Sequence, residues 1–353
     1  MKQDLKQRIS AFVQLGKVFA QISKNIDWPG FESGLTKEEW DGFKHLIDSE
    51  FQYNGWFTPQ NVRNAIESWS LALTEENLEK FMTPYSKALE NNPQKSVAII
   101  CAGNIPMVGW HDVMCTLLCG HKAIIKLSSD DKHLIPASLI ILAKFWPEIA
   151  EQYNFAIGKM ENFNAVIATG SNNTSRYFHQ YFGEYPNIIR QSRTSVAILN
   201  GNESKEHLAE LGKDIFSYFG LGCRNITKLY VPVGYDLNRF FEAVYPFHPI
   251  VNHNKYANNY DYIKAIWMLN QDELIENGFL ILKEDKNLSA PTGSLYYEFY
   301  ENESEIRTFL AEKANEIQCI VSLLDIPFGQ TQCPMLWDYA DGVDTMKFLS
   351  ELA

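Results

Sequence analysis

Between residues 96 and 199, short unbroken apolar runs alternate with helical segments. The runs are "SVAIIC" (96–101), "KAIIKL" (122–127) and "NAVIATG" (164–170), and "PNIIR" and "SVAILNG" close the series. They are rich in β-branched residues and lack polar alternation, as strands buried on both faces do. The intervening stretches, "DVMCTLLCG" ending at Gly120, "DKHLIPASLIILAKFW" with Pro136 near its start, and "SNNTSRYFHQYFG", read as helices. Buried strands joined by helices predict a parallel sheet covered on both sides. Ligands of such sheets sit beyond the carboxyl ends of the strands. The expected fold class is therefore α/β, with a Rossmann-like parallel-sheet domain that binds a dinucleotide.

Residues 1 to about 95 read as helical and carry no chemical motif. In "FTPQNVRNAIESWSLAL", Thr58 suits an N-cap and Pro59 the first helical position. Phe57 and Val62 suit a hydrophobic staple around that cap. Beyond the sheet, "ESKEHLAELGKDIFSYFG" places Leu208, Leu211, Ile215 and Phe219 on one helical face. Gly220 suits a left-handed cap at its end, and "TKLYVP" (227–232) reads as a strand. Cys223 then lies on a tight loop between helix and strand, and either burial or nucleophilicity would account for it. The rest, 233–353, is mixed α+β. A length of 353 residues suits two domains. The expected division is 1–200, a helical region plus the cofactor domain, and 201–353, an α/β domain carrying Cys223. A C-terminal tail could pack back on the first.

The chain is 46% hydrophobic and 13% aromatic, enough for a sizeable core. Its formal net charge of -12 repels nucleic acid and anionic lipid, so neither is an expected partner. "MKQDLKQRISAFVQLGK" has no signal-peptide apolar region, and no window resembles a membrane span. Six scattered cysteines do not form a disulfide framework, so a soluble cytoplasmic protein with reduced thiols is expected. No metal site is expected. Cys115 and Cys119 read as core, His248 and His253 lack a third ligand, and Asp338, Asp341 and Asp344 read as turn and capping residues.

Four stretches carry candidate chemistry, in a fixed order: "ICAGNIPMVG" (100–109), "IIKLSS" (124–129), "IATGSNNTSRYF" (167–178) and "FGLGCRNITKLYVP" (219–232). Each alone has a plainer reading: a turn asparagine, a solvated strand-end lysine, a helix cap, a buried thiol. Together they resemble the aldehyde dehydrogenase superfamily, and within it the LuxC-type acyl-CoA reductases, the reductase component of fatty-acid reductase. The resemblance implies that the Asn104 side-chain amide and the Cys223 N–H hold an oxyanion, where fixed donors act most strongly. It implies that Lys126 holds the adenosine ribose. Ser129 stands where many NAD-using members carry a ribose-binding Glu, which favours NADP(H), with Asp130 and Asp131 close by. Thr169, Gly170 and Ser171 match the loop beside the cofactor pyrophosphate, and Cys223 matches the nucleophile. Gly220 and Gly222 let the backbone before it turn sharply.

Hydrolytic members carry a water-activating Glu upstream of the cysteine. The matching stretch here, "IIRQSRTSVAIL" (188–199), has no acid and places Arg190 near that position. The implied reaction is thus reduction of a long-chain acyl-CoA to an aldehyde through a Cys223 thioester, with NADPH as hydride donor and no metal. Arg190 and Arg193 are candidates for binding CoA phosphates or stabilising the thiolate, and Phe328 for the substrate tunnel. A homo-oligomer and an acyl-donating partner enzyme are implied. Two other readings use the same residues: a Cys223 acyltransferase or thioesterase without hydride transfer, and a non-catalytic nucleotide-binding partner protein. The chain is shorter than typical family members and has no clear Glu-Phe-Gly-Pro stretch, although "GSLYYEFYE" offers Glu298 and Glu301.

Overall fold

The computed structural model describes residues 3–90 and 92–352. The chain divides into two compact units, Met1–Gln191 with Pro334–Ala353, and Ser192–Cys333.

The first unit begins with helices Gln3–Ile22, Lys37–Ser49, Pro59–Ala72 and Glu75–Met82. Thr58 caps the third as its sequence suggests, accepting from the Asn61 N–H at 3.3 Å, with Pro59 opening the helix. Five parallel strands follow: β1 (Ser96–Ile100), β2 (Lys122–Lys126), β3 (Tyr153–Phe155), β4 (Ala165–Thr169) and β5 (Asn187–Arg190), in the order β3-β2-β1-β4-β5. β3 is short and mostly exposed, so it has none of the apolar signal that marks its neighbours. Alternate residues divide the two faces of the sheet. Val97, Ile99, Ile125 and Ile167 pack with Phe12, Trp40, Trp110 and Leu118 in the large helical core. Ala98, Val166 and Ala168 form the other face, against Phe178 and Phe182 of helix Asn172–Phe182.

The second unit is built on a six-stranded sheet. Its strands are β6 (Thr194–Ile198), β7 (Ile226–Pro232), β8 (Leu274–Glu276), β9 (Ile281–Glu284), β10 (Ser294–Tyr300) and β11 (Ile317–Val321), in the order β11-β6-β7-β10-β9-β8. Among the described strands of this sheet only the β8–β9 pair is antiparallel. β6 therefore does not close the first parallel series. It pairs with β7 and β11, which sets the division of the units before residue 192 rather than after 200. Helices Lys205–Phe216 and Leu237–Val244 cover one face through Leu208, Leu211, Phe240 and Phe241. Among the described residues no helix is long and apolar enough to cross a membrane.

Candidate active site

In the first sheet, β1 runs on to β2 on one side, while β4 returns to the other side of β1. The loops leaving β1 and β4 thus diverge, which is the switch point where such sheets bind ligands. The register pairs Ile100 with both Lys126 and Ala168, so the three strands end level. Asn104, Lys126 and Thr169 accordingly leave neighbouring strand ends. Asn104 and Lys126 are exposed and Thr169 is half-buried.

Each loop is fixed by an identifiable contact. The Cys101 N–H donates to the Lys126 carbonyl at 3.0 Å, tying the β1 and β2 exits together. Gly103 lies against Ser128, whose hydroxyl would be 2.5 Å from any Cβ placed there. Met107 is left-handed at φ 58°, and its N–H donates to the buried Asp131 carboxylate at 2.7 Å. Asp131 thus anchors this turn from a buried position. Its role arises from a tertiary contact, and the sequence signals it only as one of two adjacent aspartates. Ser129 is exposed, with its hydroxyl 3.5 Å from Asp130 Oδ1. Ser171 caps the helix after β4, accepting from the Thr174 N–H at 3.2 Å, and no acidic residue occupies that helix's first turn. Gly170 packs under Phe178 and Thr174, where a Cβ would meet Phe178 at 2.9 Å.

Lys126, Ser129 and the Thr169–Ser171 turn give this edge a cation, hydroxyls and an uncontested helix N-terminus. That donor set fits the ribose and pyrophosphate of a dinucleotide.

Arg190 is buried and paired. It is 3% exposed, donating to Asp112 Oδ2 at 2.5 Å and to the Thr345 hydroxyl at 2.9 Å. Burial alone would lower its pKa, but the Asp112 carboxylate outweighs it and holds the guanidinium charged. The pair ties the end of β5 to the first turn of the helix Trp110–Leu118.

In the second unit, Cys223 is half-buried in the turn between helix Lys205–Phe216 and β7. The helix ends at Phe216, earlier than its apolar spacing predicts. Tyr218, Phe219 and Gly220 then take left-handed φ values of 51°, 60° and 77° in succession. Two of these are non-glycine residues, for which that region is strained. The buried Asn225 holds the turn. Its carboxamide oxygen accepts from the Gly222 N–H at 2.8 Å, and its amide donates to the Asp214, Ile215 and Ser217 carbonyls at 3.0, 3.3 and 2.9 Å. It thereby caps the helix end and fixes the residue before Cys223 in one step. The Ser195 hydroxyl on β6 donates to the Cys223 carbonyl at 2.9 Å, and the Phe219 ring lies 4.2 Å from that of His253.

Asp214 extends this network. Its carboxylate accepts from Gly329 N–H at 2.6 Å, Thr331 N–H at 3.0 Å and the Thr331 hydroxyl at 2.8 Å. Burial pushes its pKa up, partly opposed by those three donors. Phe328, beside this loop, is buried in the core and stacks on His207 at 5.4 Å. Arg193 is half-buried and donates to the Ala314 and Ile317 carbonyls at 3.1 and 3.2 Å. Glu298 pairs with the fully buried Lys228 at 2.8 Å, and Glu301 is exposed beyond β10.

The other cysteines separate by environment. Burial pushes the thiols of Cys101, Cys115 and Cys119 well up, keeping them protonated and inert. Cys319 is buried and receives an Arg224 hydrogen bond at 3.4 Å. Cys333 is exposed and Cys223 half-buried. Among the described residues no group of three or more His, Cys, Asp and Glu could hold a metal. Asp344 caps the last helix, Thr345–Ser350.

No protein-family model and no curated protein matches the sequence. Solved structures match its fold. The P. syringae AldA indole-3-acetaldehyde dehydrogenase, a mutant in complex with NAD+ and IAA, is 13% identical, with a TM-score of 0.59 over 89% of this chain and 71% of its own. The Mycobacterium tuberculosis Delta-pyrroline-5-carboxylate dehydrogenase bound with NAD is 12% identical, with a TM-score of 0.58 over 95% and 70%. Aldehyde dehydrogenase 21 from Physcomitrella patens, in complex with the reaction product succinate, is 12% identical, with a TM-score of 0.55 over 90% and 76%. The chain has the aldehyde dehydrogenase-like fold: an α/β protein with a parallel sheet, a second mixed sheet and a helical N-terminal region. Its structural neighbours are members of that superfamily.

Proposed function

We propose that the protein is an NADP(H)-dependent oxidoreductase that reduces an acyl thioester, a long-chain fatty acyl-CoA, to the aldehyde. The observation that carries the cofactor-dependent reading is the level exit of Asn104, Lys126 and the Thr169–Ser171 turn from three adjacent parallel strands. Two of the structural neighbours cited are bound to NAD, which supports the same class. The reducing direction is supported by the stretch 188–199, which has no carboxylate to activate water. Its Arg190 is committed to Asp112.

On this reading the Cys223 thiolate attacks the thioester carbonyl, and the bond to the CoA sulfur breaks as CoA thiolate leaves. The Asn104 amide and the Cys223 N–H hold the oxyanion meanwhile. Lys126 and the Thr169–Ser171 turn hold the cofactor, and Ser129 leaves room for a 2′-phosphate. Bound reduced nicotinamide supplies the hydride. The resulting hemithioacetal on Cys223 collapses, releasing aldehyde and restoring the thiolate.

Mixing the protein with acyl-CoAs of several chain lengths, and with NADPH or NADH, tests the reading. Expected is acyl-CoA-dependent loss of the reduced-nicotinamide absorbance, faster with NADPH and abolished in Cys223→Ser. Release of free CoA with no cofactor consumption would establish a thioesterase instead. Unchanged activity in Cys223→Ser would overturn the nucleophile.

A further inference from the structure

Asp131 stands outside the chemistry above, yet its side chain reaches the Asn104 turn. It is 1% exposed, which is rare for an aspartate. One carboxylate oxygen takes the Met107 N–H at 2.7 Å, and the other is buried. Met107 is itself fully buried and held at φ 58°, a conformation a methionine does not adopt without support. Met107 lies three positions after Asn104, and Pro106 stiffens the interval. On the other side, Asp131 closes the short 127–131 loop through a bridge to Ser128 and lies behind the exposed Ser129. Gly103 packs against the same loop, with any Cβ falling 2.5 Å from Ser128 Oγ and 3.2 Å from the Asp131 nitrogen. The exit of β1 and the exit of β2 are therefore one mechanical piece, joined by a carboxylate.

We propose that Asp131 is a positioning residue for Asn104, holding its turn through the Met107 N–H and joining it to the loop that carries Ser129. The role rests on the reading of Asn104 as an oxyanion donor. A carboxylate placed there couples the donor's position to protonation. Burial pushes the Asp131 pKa up to about 6, and Glu50 adds to the rise. The N–H groups of Met107 and Leu134 and the nearby His133 oppose it. Glu50 is itself paired with His133 at 2.9 Å. As pH rises towards that value, the carboxyl ionises inside the fold at a desolvation cost, and the closed turn is held less firmly.

The test combines amide hydrogen exchange at Met107 with kinetics of acyl-CoA reduction, on the full chain, for D131A, D131N, N104A and the D131A/N104A double variant. D131A is expected to lower Met107 protection at least about tenfold and kcat about 30- to 100-fold, with KM for acyl-CoA changed less than about threefold. D131N keeps an acceptor, so protection and kcat stay within about fivefold. D131N also abolishes the fall in Met107 protection that the unaltered protein shows as pH rises from about 4 to about 6. This pH comparison stands on its own should D131A not fold. In the N104A background, D131A is expected to add less than about threefold to the loss of kcat. Unchanged Met107 protection in D131A overturns the tie, and additive losses in the double variant overturn the positioning role. Absence of reductase activity in the unaltered protein overturns the functional reading, and hydrogen exchange at Met107 then decides the tie alone.

Discussion

The carboxyl edge of the first sheet and the Cys223 turn both present polar groups from irregular backbone, but they are held by different chemistry. At the sheet edge, regular strands deliver the loops to one place. Charged side chains then lock them: Asp131 on Met107, and Arg190 across to Asp112. At the cysteine turn, no strand register aligns anything. A neutral carboxamide, Asn225, bonds four backbone groups and sustains three successive left-handed residues. A charged lock responds to pH and to loss of its partner, whereas an amide lock does not titrate. The two regions should therefore fail differently.

The largest expected effect lies on the charged side. Arg190→Met leaves Asp112 buried without its cation and is expected to destabilise the fold by about 3–5 kcal/mol, read by chemical denaturation. Replacing both partners with apolar residues should recover most of that loss. A KM change for acyl-CoA at unchanged stability would instead return Arg190 to a binding role. On the neutral side, Asn225→Ala orphans the Gly222 N–H and the carbonyls it serves, for an expected loss of about 3 kcal/mol. It should also change the rate at which Cys223 reacts with iodoacetamide. An unchanged alkylation rate would show that the turn holds its shape without the amide.

The pH response separates the two regions further. Because the folded pKa of Asp131 is raised, its contribution to stability is complete below the ordinary aspartate pKa. It is lost as pH rises through about 6. That loss amounts to about 3 kcal/mol, and Asp131→Asn should flatten the slope between about pH 4 and 6. Asn225→Ala should leave the slope unchanged. The smallest effect is expected from Ser195→Ala, which removes one hydrogen bond to the Cys223 carbonyl and should cost about 1 kcal/mol.

The same contrast explains what could be read from the sequence. Strands β1, β2 and β4 announce themselves as apolar runs, whereas Asn104, Lys126 and Thr169 are marked by the family resemblance and their adjacency by the strand pairing. β6 looks identical to those strands, and only its pairing with β7 and β11 reveals its sheet. The apolar spacing carries a helix through to Phe219, because periodicity cannot register the left-handed reversal at Tyr218. Arg190 looked available because sequence shows its charge and not the Asp112 beside it. The resemblance offers Phe328 for a substrate tunnel, and its place in the second unit's core is visible only in the structure. Asn225 and Asp131 act through partners distant in sequence or through backbone N–H groups, and no residue pattern marks such contacts.

The central claim is that Cys223 carries an acyl group that leaves by hydride transfer. Intact-mass measurement after mixing the protein with acyl-CoA, first without cofactor and then with NADPH, tests it most directly. The account predicts one acyl adduct mapped to Cys223, stable without cofactor, discharged as aldehyde on adding NADPH and absent in Cys223→Ser. An adduct elsewhere, or one that hydrolyses equally fast with and without NADPH, would contradict it.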